Sequence, residues 1–147
     1  MGRPPGATPA LSLALQRYVD ARSAALLAAR RELQVNELDA RALLFIADNP
    51  GARPGQLREY LGITSAGVTT LVDRLVERNA VRREVDDEDR RVNHLVLTID
   101  LAADPWCALT KFDDAFAAAA VGADATETAR FAAALDALTE SAAAALR

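Results

Sequence analysis

The chain has 147 residues, 51% hydrophobic and 26% charged, with a formal net charge of −4. That length suits one domain with a core of its own, and no stretch approaches the ~18 consecutive apolar residues of a membrane span. The negative balance argues against broad, unspecific attraction to nucleic acid, and a single cysteine, Cys107, excludes an intramolecular disulfide.

Met1-Gly2-Arg3-Pro4-Pro5-Gly6 is followed by no apolar h-region, so it reads as a short lead and not as a signal peptide. The expected location is the cytoplasm. Thr8-Pro9 is a cap followed by a helix-starting proline. Leu11, Leu15, Tyr18, Val19, Leu26, Leu27 and Leu33 then recur at near-helical spacing, which predicts a helix to about Gln34. Asn36, with Asp39 three residues on, starts a second helix with Leu38, Ala42, Leu43, Phe45 and Ile46 on its apolar face. Asn49-Pro50-Gly51 ends it.

Pro54 suits the first position of a helix, where its missing N–H costs nothing. Leu57, Tyr60 and Leu61 form one apolar face, and Gly62 supplies the left-handed residue that stops the helix and turns the chain. Thr64 is placed to cap the next helix, whose core face is Val68, Leu71, Val72, Leu75 and Val76. The opposite face carries Ser65, Ala66, Gly67, Thr69, Thr70, Asp73 and Arg74. Small and hydroxylic groups can approach a major-groove floor, bond a base edge or meet a thymine methyl. Arg74 is placed for a phosphate. Taken alone, such a face is most simply a solvated helix surface.

Asn79 stands where that helix must end and tolerates the left-handed conformation. Val81 to Val85 and Val92 to Thr98 read as two strands around a polar turn, Asp86-Asp87-Glu88-Asp89-Arg90-Arg91. Helix, turn, helix, hairpin is the order in which a winged helix meets DNA, and it shifts the balance towards a reading head. Asp89 is expected to pair with an arginine at the wing base or to hold the loop. Arg90 and Arg91 sit at the tip. Arg91 would reach a minor groove, where narrow A·T stretches attract guanidinium. A merely solvated hairpin tip is the plainer alternative.

Beyond the hairpin, Asp104-Pro105 predicts a helix through about Ala120, which Gly122 breaks. Asp124 with Glu127 opens a last helix. Its Phe131, Leu135, Leu138 and Leu146 lie among alanines that permit close helix approach. Such a stripe at a chain end needs a cover. A symmetric partner subunit provides one, and packing within the monomer is the alternative.

Catalytic chemistry is not visible. His94 is the only histidine and Cys107 lies thirteen residues beyond it, which is no metal cluster. Asp113 and Asp114 are adjacent in a helix and diverge by about 100°. Neither a phosphate loop nor a nucleophile motif is present. The expectation is no enzyme, no metal and no cofactor. Cys107 has one local cation, Lys111, and reads as a buried structural thiol before an oxidant sensor.

Leu61-Gly62-Ile63-Thr64-Ser65, Asp73-Arg74-Leu75, Asp89-Arg90-Arg91 and Leu97-Thr98, in that order and spacing, resemble the MarR family of bacterial transcriptional regulators over roughly residues 38 to 98. Asn79 stands where the family commonly has glycine, the wing tip is acidic, and Ile99-Asp100-Leu101-Ala102 replaces a usual glycine after Leu97-Thr98. The expected fold is mainly α with a small β-hairpin wing. It is a single domain over 1–147, with a winged helix-turn-helix at about 37–99 flanked by N- and C-terminal dimerisation helices at about 8–35 and 104–147.

The resemblance implies a homodimeric repressor that binds pseudo-palindromic double-stranded DNA and is released by a small effector. It assigns DNA binding to Thr64, Ser65, Ala66, Gly67, Thr69, Thr70, Arg74, Arg90 and Arg91, with Asp89 supporting the wing. A ligand pocket between the dimerisation helices and the winged helix would draw on Tyr18, Phe45, Trp106, Phe112 and Phe116, unless these are simply core aromatics. Between Arg53 and Arg91 eight arginines meet eight acids, whereas from Asp100 on three basic residues meet eight acidic ones. The reading head is therefore neutral and the acidity lies in the C-terminal part. That neutrality keeps a rival open: a winged-helix protein-interaction module without DNA binding.

Overall fold

A computed structural model describes residues 9–147. The Met1–Gly6 lead and the Thr8 cap lie outside the described residues. The elements run α1 (Pro9–Leu33), α2 (Glu37–Asp48), α3 (Pro54–Leu61), α4 (Ser65–Glu77), β1 (Val81–Val85), β2 (Asn93–Leu97), a 3-10 turn (Trp106–Leu109), α5 (Lys111–Val121) and α6 (Ala125–Ala144). This is the mainly helical chain with one hairpin that the sequence predicts. It divides into two compact units, residues 1–111 and 112–147.

Local chemistry sets the helix boundaries of the first unit. The Asn36 side chain accepts the Asp39 amide at 2.8 Å, fixing the start of α2. Gln56 reaches back to the Arg53 amide at 2.9 Å, and Pro54 opens α3. Gly62 ends α3 at φ 66°, and the Thr64 hydroxyl accepts the Gly67 amide at 3.0 Å to begin α4. Asn79 takes φ 55° after α4, the left-handed conformation expected of it. Val81 then enters the core directly.

Leu43, Leu57, Leu71, Val72, Leu75, Val81, Leu95 and Leu109 are the large fully buried apolar side chains. Each contributes about 1.5–3 kcal/mol of transfer free energy. Together they fasten α2, α3, α4 and the base of the hairpin around one centre. Leu38 and Val19, expected on apolar faces, are instead exposed. β1 and β2 pair antiparallel, Val81 opposite Leu97 and Val85 opposite Asn93. The outer edge of β2 is not open along its length: the Leu95 amide donates to the Ala52 carbonyl at 2.8 Å. The loop between α2 and α3 is thereby laid against the hairpin.

One helix boundary differs from the expectation. Asp104-Pro105 does not open α5. A cis peptide joins these residues, a 3-10 turn follows, and α5 starts only at Lys111. The turn drives Leu109 into the core, at 2% exposure, which a continuous helix from Pro105 does not require. In the second unit, Asp124 accepts the Glu127 amide at 2.9 Å and caps α6 as expected. No residue of α5 or α6 is buried, and Phe116, Val121, Phe131, Leu138 and Leu146 are exposed.

Candidate nucleic-acid interface

Helix α4 presents Ser65, Ala66, Thr69 and Thr70 to solvent while Val68, Leu71, Val72 and Leu75 face the core. The Thr69 and Thr70 hydroxyls donate to the carbonyls of Ser65 and Ala66, each at 3.1 Å. Their protons are thus committed to the helix. What remains outward is acceptor lone pairs and methyl groups, suited to a cytosine or adenine amino group or a thymine methyl. Ser65 Oγ accepts a long bond from Arg58 of α3 at 3.4 Å. Thr64 is occupied in capping. Gly67 lies behind that cap, and a β-carbon there would come within 3.2 Å of the Thr64 hydroxyl. A side chain at this position would crowd the cap by a few tenths of an ångström.

Two ion pairs hold α4 in place. Arg74 meets the buried Asp39 of α2 in a two-pronged contact, Nε to Oδ2 at 2.8 Å and Nη2 to Oδ1 at 2.5 Å. The hydrogen bond to Asp39 raises the Arg74 pKa against the opposing effect of desolvation. Expected as a phosphate contact, Arg74 is thus also an internal tie, with most of its fork engaged. Asp73 pairs with Arg83 of β1 at 2.5 Å, joining α4 to the wing. Arg78, just past α4, donates to the Leu33 and Gln34 carbonyls at 2.7 Å each and lies 5.8 Å over the Trp106 ring. It ties the end of α4 to the end of α1. The sequence shows Asp39 only as part of the start of α2, and gives no signal for Arg78.

Two of the acids at the wing tip, Asp86 and Asp89, close its turn. Asp86 Oδ1 accepts the amides of Glu88 at 2.8 Å and Asp89 at 3.2 Å, and Asp89 Oδ1 accepts the Arg91 amide at 3.0 Å. Asp89 therefore contacts the loop. The wing-base arginine Arg83 pairs with Asp73, and Arg82 with Glu84. Asp86 also meets His94 Nε2 at 2.9 Å. That bond, followed by the loop amides, lowers the Asp86 pKa to about 2. Among the described residues no ion pair holds the side chains of Arg90 and Arg91, and both are exposed.

The five aromatics expected to line a pocket lie at several places in the fold. Phe45 stacks on Tyr60 with centroids 4.5 Å apart, and Trp106 lies beneath Arg78. Tyr18 is half-buried on α1, while Phe112 and Phe116 stack on one another at 6.4 Å. None of the five lines the cavity of about 470 Å³ between α1, α2 and α3, whose walls include Leu26, Arg30, Arg41, Leu44 and Tyr60. Arg41 lies 5.3 Å over the Tyr60 ring, and Arg30 Nε is buried without a hydrogen-bond partner. Cys107, expected to be buried, is half-exposed. Its thiol donates to Asp104 at 3.2 Å, and that bond, before burial, raises its pKa. Among the described residues no helix is long and apolar enough to cross a membrane.

Residues 33–92 match the model of the MarR family. No curated protein matches the chain by sequence. Among solved structures, RV1404 from Mycobacterium tuberculosis superposes with a TM-score of 0.67 at 19% identity, over 95% of this chain and 97% of its own. S. aureus MepR bound to ethidium bromide gives 0.64 at 16% identity, over 88% of this chain and 94% of its own. A mutant S. aureus MepR bound to an oligodeoxyribonucleotide gives 0.59 at 17% identity, over 89% and 96%. These likenesses are of fold: a winged helix flanked by helices, shared over most of each chain.

Proposed function

We propose that this chain, built on a MarR-type winged helix, is a sequence-specific DNA-binding transcriptional regulator acting as a homodimeric repressor. The carrying observation is the arrangement of α4. Its exposed small and hydroxylic face is braced by Asp39–Arg74 on one side and Asp73–Arg83 on the other, with Arg91 uncommitted at the wing tip. A braced reading surface loses little order on binding, which favours affinity.

In this reading, Ser65, Ala66, Thr69 and Thr70 meet base edges in a major groove. Thr64 and Gly67 set the helix start, and Arg74 fixes the helix on its scaffold while its remaining nitrogen addresses phosphate. Arg90 and Arg91 reach the flanking minor groove, and Asp89 shapes the loop that carries them. Two subunits place two such helices in successive major grooves of a pseudo-palindromic operator, about 34 Å apart. Dimerisation is supported by the apolar side chains left exposed on α1, α5 and α6, among them Leu13, Phe116, Phe131 and Leu138. The cavity between α1, α2 and α3 supports release by a small effector with an apolar body and an acceptor for Arg30. Such a ligand acts only through unequal affinity for two arrangements of the dimer. The cytoplasm is the corresponding location.

One observation favours the rival, a protein-interaction module without DNA binding. Five of the arginines between Arg53 and Arg91, namely Arg58, Arg74, Arg78, Arg82 and Arg83, are engaged within the molecule. Fluorescence anisotropy with the DNA upstream of the chain's own gene separates the two. Saturable binding that exceeds random DNA, weakened by about 1–3 kcal/mol in Arg91→Ala, supports the regulator. Absence of preference at low and moderate salt supports the module.

A further inference from the structure

His94 stands in β2 with both ring nitrogens occupied. Nδ1 is 2.8 Å from the Gly51 carbonyl oxygen, and Nε2 is 2.9 Å from a carboxylate oxygen of Asp86. A carbonyl oxygen only accepts, and so does an ionised carboxylate. A neutral imidazole carries one N–H and can serve only one of these partners. Asp86 is held in its ionised form because its other oxygen already accepts the Glu88 and Asp89 amides. The geometry is satisfied by the imidazolium, which donates at both ends.

The three segments joined in this way matter for the wing. Gly51 belongs to the loop that enters α3. Asp86 opens the wing tip and organises its amides. His94 lies between them on the strand whose Leu95 amide is bound to Ala52. We propose that His94 is the positioning residue of the wing. As an imidazolium it pins the tip, through Asp86, to the segment entering α3. Loss of its proton leaves one N–H for two acceptors, so one bond of the clamp is lost, which loosens the tip and weakens the grip of Arg90 and Arg91 on DNA. The DNA half of this statement rests on the regulator reading above, and the clamp half does not.

The surrounding charges agree with that assignment. Asp86 faces the ring from the wing loop, and Glu84 lies opposite His94 across the strand pair, engaged by Arg82. Arg53, at the start of α3, opposes the imidazolium charge. From α2, the uncharged Ile46 and Ala47 line the same open cavity as His94. The hydrogen bond to Asp86, then that to Gly51, raises the His94 pKa above its ordinary 6.5. The folded pKa is raised, so the clamp is fully present below the ordinary histidine range and is lost as pH rises through the folded value.

The chain has one histidine, so its imidazole gives a single heteronuclear NMR titration. The expected midpoint lies above 6.5, falls towards that value in Asp86→Asn, and is shared by the amide shifts of Glu88, Asp89 and Arg91. A midpoint at or below the ordinary value, or one that Asp86→Asn leaves in place, overturns the clamp. Operator affinity is then compared between about pH 6 and pH 9 for wild type and for His94→Asn, which cannot titrate. Wild type is expected to lose roughly 2- to 10-fold more affinity than the variant, the value of one hydrogen bond. Equal pH profiles overturn the wing-positioning role. If the NMR pattern holds and wild type shows no preference for any operator, the regulator reading fails and the clamp stands.

Discussion

Breaking the Asp39–Arg74 pair from its two ends should give unequal results. The Asp39 side chain is 3% exposed and that of Arg74 41%. Arg74→Ala leaves a buried carboxylate without its counter-charge, a lesion of about 3–5 kcal/mol. Asp39→Ala strands a guanidinium that already touches solvent and can rehydrate. Its two lost charge-assisted bonds, nominally about 1.5–3 kcal/mol each, shrink with screening to about 1–2 kcal/mol in all. The double variant removes both charges and should be more stable than Arg74→Ala alone, with a coupling of about 1–3 kcal/mol. The assay is urea unfolding at neutral pH and fixed protomer concentration, followed by the single tryptophan, Trp106, and by circular dichroism. Equal single-variant losses that simply add in the double variant would refute the argument, because they would mean that neither group depends on the other.

Two further outcomes follow from the ties around the helix ends. Arg78→Ala removes two bonds to the end of α1 and the cation over Trp106. It should cost about 1–3 kcal/mol and shift the tryptophan emission, and an unchanged spectrum with unchanged stability would count against the joint. Cys107 should react slowly with a disulfide reagent at neutral pH, because its bond to Asp104 keeps the thiol protonated. Asp104→Asn should speed the initial rate, and a slower rate in that variant would contradict the assignment.

The sequence is most informative where the chain's own neighbours decide the outcome. Gly62, Thr64, Asn79 and Asp124 act within four residues of themselves, and each takes the conformation or bond that its type implies. The strand Val81–Val85 is legible for the same reason. The reading falters where the deciding partner is remote. Asp39 stands 35 residues before Arg74, and Arg78 stands 45 after Leu33. Nothing in local spacing links either pair. The local sequence offers His94 no partner, since Gly51 and Asp86 become its neighbours only after folding. The acidic run at the tip reads as charge alone from the sequence, and only folding shows that Asp86 and Asp89 also close the turn through its amides. The start of α5 at Lys111 differs from the expectation because a proline after aspartate is a good helix opening in isolation. The need to bury Leu109 is not visible from that dipeptide.

The bond from Leu95 to the carbonyl of Ala52 bears on how this protein behaves when crowded. A lone two-stranded ribbon is only marginally stable in water. Its bare margins are also templates on which a second chain can add a strand. Here the α2–α3 loop lies over one of those margins, and Asp73–Arg83 draws the opposite strand towards α4. The hairpin is thus shielded from sticking to its counterparts when many copies meet at high concentration.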